Sequence, residues 1–494
     1  VSNPLQKLAG QTVIYGLGNV LPRFINYLFS FVLTYIFKEP AALAPNAVFF
    51  GYISFLSIIF TYGMETAFFN FTNKSEDKNR VYSTALISII VSSMGLSLLL
   101  ILFSGSIAEL IKEPGHGNFV TWCVLIVATE AIMAIPLAKL RVNNDARRFA
   151  TINFIKVLLT IVLNVFYFII CKREFEQQSD SLLAHLYNPE IGIGYAFLAN
   201  LLANLFCIFL LAKEFKEISY AFDLRLWKKM LFYAWPLLIL GLAGMVNETF
   251  DRIVLKYLLP ETVADYEVGV YSNCYKIAML MTIFTQAFKY AAEPFFFNKV
   301  KDKNSRKITA IVMKYYVLFC LFLFLATMMN LPWIQFAISE KYRIGLSVVP
   351  ILLLANLCVG VYWNLSIWFK LTGKTQFGAV ITVIGATITL CINFLCIPTF
   401  GYIACAWATL ASYASMMVIS YLTGQKYYPI KYNLRGIFVF SGLAFGFYFI
   451  STIYSEMSHT FLKLLLNNIL LFLFAFIFYK LEMDNLKKLK HLEA

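Results

Sequence analysis

The sequence predicts an all-α integral membrane protein of about fourteen transmembrane helices, built as two six-helix pseudo-repeats followed by two C-terminal helices. Three observations carry this. Hydrophobic residues make up 60% of the 494-residue chain, charged residues 14%, and mean hydropathy is +0.71. Soluble domains are roughly half apolar and a quarter charged. Apolar runs of about 20 residues, long enough to cross the hydrocarbon core, recur from end to end. Finally, Tyr62-Gly63-Met64-Glu65-Thr66-Ala67-Phe68-Phe69-Asn70 returns as Tyr290-Ala291-Ala292-Glu293-Pro294-Phe295-Phe296-Phe297-Asn298, with five residue types in register 228 positions later. Phe149 and Phe377 share that offset, and Thr160/Thr389 and Asn164/Asn393 differ from it by one. A constant offset across several apolar segments points to an internal duplication.

The runs place spans near 12–37, 47–71, 81–105, 118–140, 149–171, 191–212, 230–259, 269–297, 308–332, 345–369, 376–398, 401–422, 436–455 and 461–480. Six spans per repeat is an even number, so both halves share one orientation and are related by an axis along the membrane normal. The expected lobes are 1–225 and 226–425, with 426–494 carrying the last two helices and a cytoplasmic tail. Loops 213–229 and 299–307 together hold ten Lys and Arg, more than the six in all loops of the opposite side. By the positive-inside rule both termini are expected in the cytoplasm, with these basic loops along anionic headgroups. That distribution explains the net charge of +14 without nucleic acid as a partner. The first apolar span lacks a short core and cleavage site, so it is expected to be retained as a helix.

Composition also excludes chemistry. The nine cysteines lie within spans without ligand spacing and read as packing residues, and the four histidines fall in loops or the tail. No metal, cofactor or catalytic group is expected, and the chain is not expected to be an enzyme. Gly373-Lys374-Thr375 has the tail of a phosphate-binding loop, but Trp368 stands where its first glycine belongs. Energy must then come from an ion gradient, the membrane potential or the substrate's own gradient.

The candidate site is polar residues inside the spans. Thr12, Gly16, Asn19, Arg23, Asn26, Ser30 and Thr34 follow a helical repeat that keeps them on one stripe of the first span. Ser54, Ser57, Thr61 and Glu65 repeat the device in the second span, and Ser272, Lys276, Gln286, Tyr290 and Glu293 in the eighth. The seventh span contributes Asn247, Glu248, Asp251 and Arg252. Single Ser, Thr and Asn residues also serve as helix-packing glue. A stripe containing arginine is a stronger signal, because a cation near the bilayer centre costs about 2.5–3.5 kcal/mol and needs a partner or water. Arg23, Arg252 and Lys276 are therefore candidate contacts for an anionic substrate, and Asn19, Asn26 and Asn247 for its polar groups. Glu65, Glu130, Glu248, Asp251 and Glu293 are candidates for ion coupling or gating. Competing expectations are an Arg23 pair with Glu65 or Glu248, an Arg252–Glu248 pair, a Lys289–Glu293 pair, and snorkelling by Lys156, Lys256, Lys314 and Lys463.

Four stretches resemble the multidrug/oligosaccharidyl-lipid/polysaccharide (MOP) flippase superfamily, in its polysaccharide transport branch. They are Leu21-Pro22-Arg23, Tyr62 to Phe69, Trp235-Pro236 through Asn247 to Arg252, and Ile397-Pro398-Thr399-Phe400-Gly401 leading into Ala404 to Ala408. The resemblance covers the whole chain. It implies a MATE-like two-lobed carrier in the bacterial inner (plasma) membrane. Its cargo would be undecaprenyl-diphosphate-linked oligosaccharide, moved to the outer leaflet for lipopolysaccharide O-antigen, capsule or exopolysaccharide synthesis. Membrane lipids, a polysaccharide polymerase and chain-length machinery would be its partners. It also implies a cationic cavity, onto which Arg23, Arg252 and Lys276 map. Alternatives of the same fold are a lipid II flippase and an ion-coupled multidrug exporter. The exporter branch uses an acid in the first lobe, where the first span here has arginine. A membrane glycosyltransferase or polymerase would need a larger loop bearing catalytic residues than any present.

Overall fold

The computed structural model describes residues 21–22, 24–143, 145–178, 180–219, 222–298, 305–453 and 460–490. The described residues are helical with no strand. The main helices are α1 (Phe24–Ile36), α2 (Pro40–Thr61), α3 (Met64–Thr72), α4 (Lys78–Leu102), α5 (Gly117–Val142), α6 (Ala146–Val165), α7 (Tyr195–Leu210) and α8 (Leu224–Leu258). They continue with α9 (Glu261–Asn298), α10 (Ser305–Met329), α11 (Val349–Leu365), α12 (Gln376–Phe400), α13 (Tyr402–Tyr427), α14 (Leu434–Ile453) and α15 (Thr460–Lys490). Among the described residues twelve spans are long and apolar enough to cross a membrane, rather than the fourteen expected. At the first and eighth expected positions stand α1 and the 38-residue α9.

Helix starts follow local chemistry. Asp77, Asp145 and Asp223 precede α4, α6 and α8, and each carboxylate accepts a backbone N–H from the first turn, at Arg80, Arg148, and Arg225 with Leu226. A carboxylate there satisfies donors that have no intrahelical partner and complements the positive end of the helix dipole. Short turns link α3 to α4 and α5 to α6, so these three caps share one end of the helices with the ends of α3, α5 and α7.

The chain divides into two compact units, one of residues 1–272 and 382–408, the other of 273–381 and 409–494. In the first, α5 is the central helix, packed by α2, α4 and α7, while α8 lies on α2 and α3. Met133, Leu140, Phe149, Ile152, Cys207 and Leu211 interlock where α5, α6 and α7 meet. In the second, α10 is central to α11, α14 and α15. Ala355, Val359, Tyr362, Ile381, Tyr413 and Met416 form its principal apolar cluster. Inside a bilayer such contacts gain little from water exclusion, so close packing and interhelical polar bonds must hold the helices together.

The duplicated motif does not fold the same way twice. In the first copy Tyr62 (φ 34°) and Gly63 (φ 73°) are left-handed and separate α2 from α3. In the second copy α9 runs unbroken to Asn298. Gly63 also meets α8 closely: a Cβ there would lie 2.9 Å from the Ala234 carbonyl oxygen and 3.1 Å from the Leu237 Cβ. Both neighbours flank Pro236, which lacks an N–H and loosens the helix around it. The break is pinned by hydrogen bonds, as the Tyr62 hydroxyl lies 2.6 Å from Ser88 Oγ, which also accepts the Trp227 indole N–H at 2.6 Å.

Gly63→Ala places a side chain in a left-handed residue against backbone, so it is expected to destabilise the protein by about 1–3 kcal/mol. Ala291→Gly at the repeat-equivalent position should cost no more than about 1 kcal/mol. Thermal unfolding of both variants in detergent, followed by loss of monodisperse protein, checks the difference.

Candidate functional site

The first unit carries charges at three levels. At the end where α4, α6 and α8 start, cations and acids alternate between helices. Arg141 of α5 binds Glu65 of α3 at 2.8 Å and lies over the Phe69 ring. Lys139 reaches Glu217 at 2.7 Å, with its ammonium 3.8 Å from the centre of the Tyr82 ring. Arg148 bridges Glu214 at 2.9 Å and the Leu210 carbonyl, while the Tyr82 hydroxyl donates to the Glu214 carbonyl. Arg80 pairs with Asp223. This lattice joins α3, α4, α5, α6 and the segment after α7. The hydrogen bond and charge of Lys139, with Lys213 and Arg148 nearby, hold the Glu217 carboxyl below its ordinary range, against the opposing effect of burial.

At the opposite end, Lys256 of α8 is buried between two acids, Glu113 at 2.5 Å and Asp265 at 2.6 Å. Glu113 is equally buried and also meets His116 Nδ1 at 3.1 Å. Left-handed Lys112 (φ 56°) and Gly115 (φ 84°) turn the connection so that Glu113 faces inward. The Tyr257 hydroxyl donates to the Leu110 carbonyl alongside. The expectation that Lys256 snorkels is thus overturned, since its ammonium is met by carboxylates within the protein. Lys314 in the second unit is corrected likewise: it pairs with Glu482 at 2.5 Å, where α10 meets α15. Asn467 donates to the Met329 carbonyl and Asn468 exchanges amide bonds with Asn330, fastening the other end of the same pair of helices.

The third level is the middle. Glu130 stands half-way along α5 and Lys156 ten residues into α6, and they pair at 2.6 Å. Lys156 is therefore not a snorkelling lysine either. Of the other sequence-predicted residues on α8, Asn247 is buried, accepts from Thr389 Oγ1 at 2.9 Å and donates to the Thr382 carbonyl. Asp251 is buried, accepting the Tyr271 hydroxyl at 2.5 Å and the Arg252 backbone N–H. These two residues tie α8 to α12 and α9 within the first unit. One turn beyond Thr389, Asn393 is fully buried with neither amide atom bonded among the described residues. Its repeat partner Asn164 is also buried, with an unbonded amide oxygen.

Glu248 is exposed and Arg252 half-buried on α8. In the second unit Lys276 donates to Asn273 Oδ1 at 2.7 Å. Asn26 is exposed on α1, while Ser30 and Thr34 donate to carbonyls one turn back, as hydroxyls in membrane helices do. Asn19 and Arg23 lie outside the described residues, as does the side chain of Glu293. Among the described residues no group of three His, Cys, Asp or Glu side chains is gathered to hold a metal. Arg141, Lys139, Glu217, Arg148 and Glu214 escaped the sequence reading because each looks like an ordinary loop-flanking charge. Their signal was alternating sign at consecutive span ends.

Several solved structures share this fold. Lipid II flippase MurJ in an inward closed conformation superposes with a TM-score of 0.72 at 15% identity, over 95% of this chain and 99% of that one. An outward-facing multidrug resistance MATE family transporter of the MOP superfamily gives 0.58 at 14% identity, covering 86% and 96%. The Vibrio cholerae MATE transporter VcmN in the bent form gives 0.54 at 16%, covering 85% and 96%. A comparison with curated protein sequences finds no match. The helical architecture shared with these structures makes the chain a multi-pass membrane protein of the MOP superfamily fold. The chain belongs to the polysaccharide biosynthesis protein family, whose model matches residues 8–299.

Two outcomes follow from the end clusters. Lys256→Met strands two acids and is expected to cost about 3–5 kcal/mol, whereas Glu113→Gln leaves the Asp265 pair and should cost clearly less. Apparent melting temperatures of the two variants give the order. The Glu217 carboxyl, held low in the folded protein, contributes stability above its ordinary value of 4.5. That contribution is lost as pH falls through its folded value. The difference in melting temperature between the wild type and Glu217→Gln should therefore be present at pH 7 and shrink as the pH falls below about 4.

Proposed function

We propose that this protein is a flippase that moves undecaprenyl-diphosphate-linked oligosaccharide from the cytoplasmic to the outer leaflet of a bacterial inner membrane by alternating access. The observation that carries the reading is the combination of family and build. A member of the polysaccharide biosynthesis family made almost wholly of membrane-crossing helices serves that process most directly by carrying its lipid-linked intermediate. On this reading the basic end of the first unit is cytoplasmic. Arg23 and Arg252 are the cations proposed for the diphosphate, Lys276 for an anionic group of the cargo, and Asn19 and Asn26 for its sugars. Moving a charge of about −2 outward is helped by an inside-negative potential at about 2.3 kcal/mol per charge per 100 mV. The return of the empty carrier's own cations offsets part of that gain. Lipid II as cargo is the second reading, favoured by the superposition on the MurJ structure over nearly the full length of both chains.

Mass spectrometry of lipid extracts from cells depleted of the protein tests both. Accumulation of an undecaprenyl-linked oligosaccharide, reversed by the wild type and poorly by a normally expressed Arg23→Ala variant, is the expected result. Accumulation of lipid II alone would select the second reading. An unchanged lipid profile with new sensitivity to cationic compounds would overturn both in favour of an exporter.

A further inference from the structure

The Glu130–Lys156 pair lies on the middle level of the first unit, and its surroundings say which way it faces. Every residue of α5 from Phe119 to Leu140 is buried or half-buried, so the helix carrying Glu130 has no lipid-facing stripe. On α6 the exposed apolar residues are Phe154, Leu158 and Val162. At 100° per residue these lie within about 40° of one line, and Lys156 lies about 160° from Leu158. Lys156 shares its side of the helix with Phe149 and Ile152, both buried, and with Thr160. Yet the two charged side chains keep 24% and 30% of their surface accessible. A partly accessible charged pair half-way along its helices, carried on the face of α6 opposite its exposed apolar residues, is placed to meet water in preference to lipid.

The pairs of Arg80, Lys139, Arg141, Arg148 and Lys256 lie at the helix ends. There, Lys256 is enclosed by two acids and Arg148 is braced by a carboxylate and a carbonyl. Lys156 by contrast has one carboxylate and an open side, so a second anion can approach its ammonium without entering a dry interior.

We propose that Lys156 is a phosphate-binding residue of the transport pathway and that Glu130 is its resident counter-anion, which a lipid diphosphate displaces. This rests on the flippase reading above and adds to it a cation on α6 that no stripe of the first, second, seventh or eighth span includes. The exchange has a physical logic. While the site is empty, Glu130 neutralises a lysine that would otherwise stand uncompensated at the membrane centre. When the diphosphate arrives, its oxygens replace the carboxylate as partner, so the carrier never holds an unpaired Lys156. Glu130 is then a built-in competitor that keeps binding reversible.

The test uses the full-length protein in nanodiscs, with undecaprenyl diphosphate as probe and undecaprenyl monophosphate and inorganic pyrophosphate as comparison ligands, binding being read by native mass spectrometry and tryptophan quenching. Lys156→Gln should weaken undecaprenyl diphosphate binding about ten-fold or more, and Lys156→Arg should largely keep it. Glu130→Gln should bind more tightly than wild type, since the competitor is gone. A purely structural ion pair would make both single neutralisations act in the same direction. The double variant Lys156→Gln/Glu130→Gln leaves no charge stranded and guards against misfolding, and it should bind as weakly as Lys156→Gln. Wild-type binding with Lys156→Gln and Glu130→Gln both unchanged, or both weakened, would overturn this proposal and leave the flippase reading standing. Failure of the wild type to bind any of the lipid phosphates would overturn that reading and this proposal with it.

Discussion

A charge placed in hydrocarbon must be neutralised within the protein, and that requirement organises the first unit. Backbone groups are satisfied by making every span helical, so the remaining problem is the side chains. Lys139, Arg141, Arg148, Lys156 and Lys256 belong to spans, and each has an acid from another helix or connection within 3 Å. Because a pair needs two elements at a fixed distance, each also sets which helices are neighbours and at what register. Breaking one partner leaves the other stranded, which is why such pairs specify an arrangement more than they add net stability.

The second ordering device is close approach. Helices in lipid gain little by hiding apolar surface from each other, so they depend on places where backbones or small residues touch. Gly63 meets α8 beside Pro236, and Gly241 of α8 faces Ile58 of α2. The left-handed pair Tyr62 and Gly63 ends α2 where α8 is weakened by its proline. Two irregularities thus face one another at one level of the unit. Beside them the Tyr62, Ser88 and Trp227 side chains bond to one another and hold α2, α4 and α8 together at this level.

The charge pairs differ from level to level. At the helix ends the pairs range from the enclosed Lys256 cluster to the exposed Arg141–Glu65 and Arg80–Asp223 pairs and fasten one element to the next, while the central Glu130–Lys156 pair stands half-way along its helices and partly accessible. Asn247 and Asp251, which look equally functional along the chain, bond to Thr389 and Tyr271 of neighbouring helices. Residue type does not distinguish these cases; the number and direction of neighbouring groups does.

The amino-acid sequence by itself determined the helical class and the approximate positions of the spans, because hydropathy acts over distances of a few residues along one chain. It also exposed the duplicated motif and the polar residues of α8. Only the tertiary structure decided how the charges are used. Glu65 belongs to Arg141, Glu130 to Lys156 and Lys256 to Glu113 and Asp265, partners that lie 9 to 143 residues away. It likewise decided that Gly63 breaks its helix while Ala291 does not, since that outcome depends on the nearness of the Ala234 carbonyl as well as on glycine. Electrostatic partnership depends on distance through space, and distance through space is what a linear order of residues leaves open.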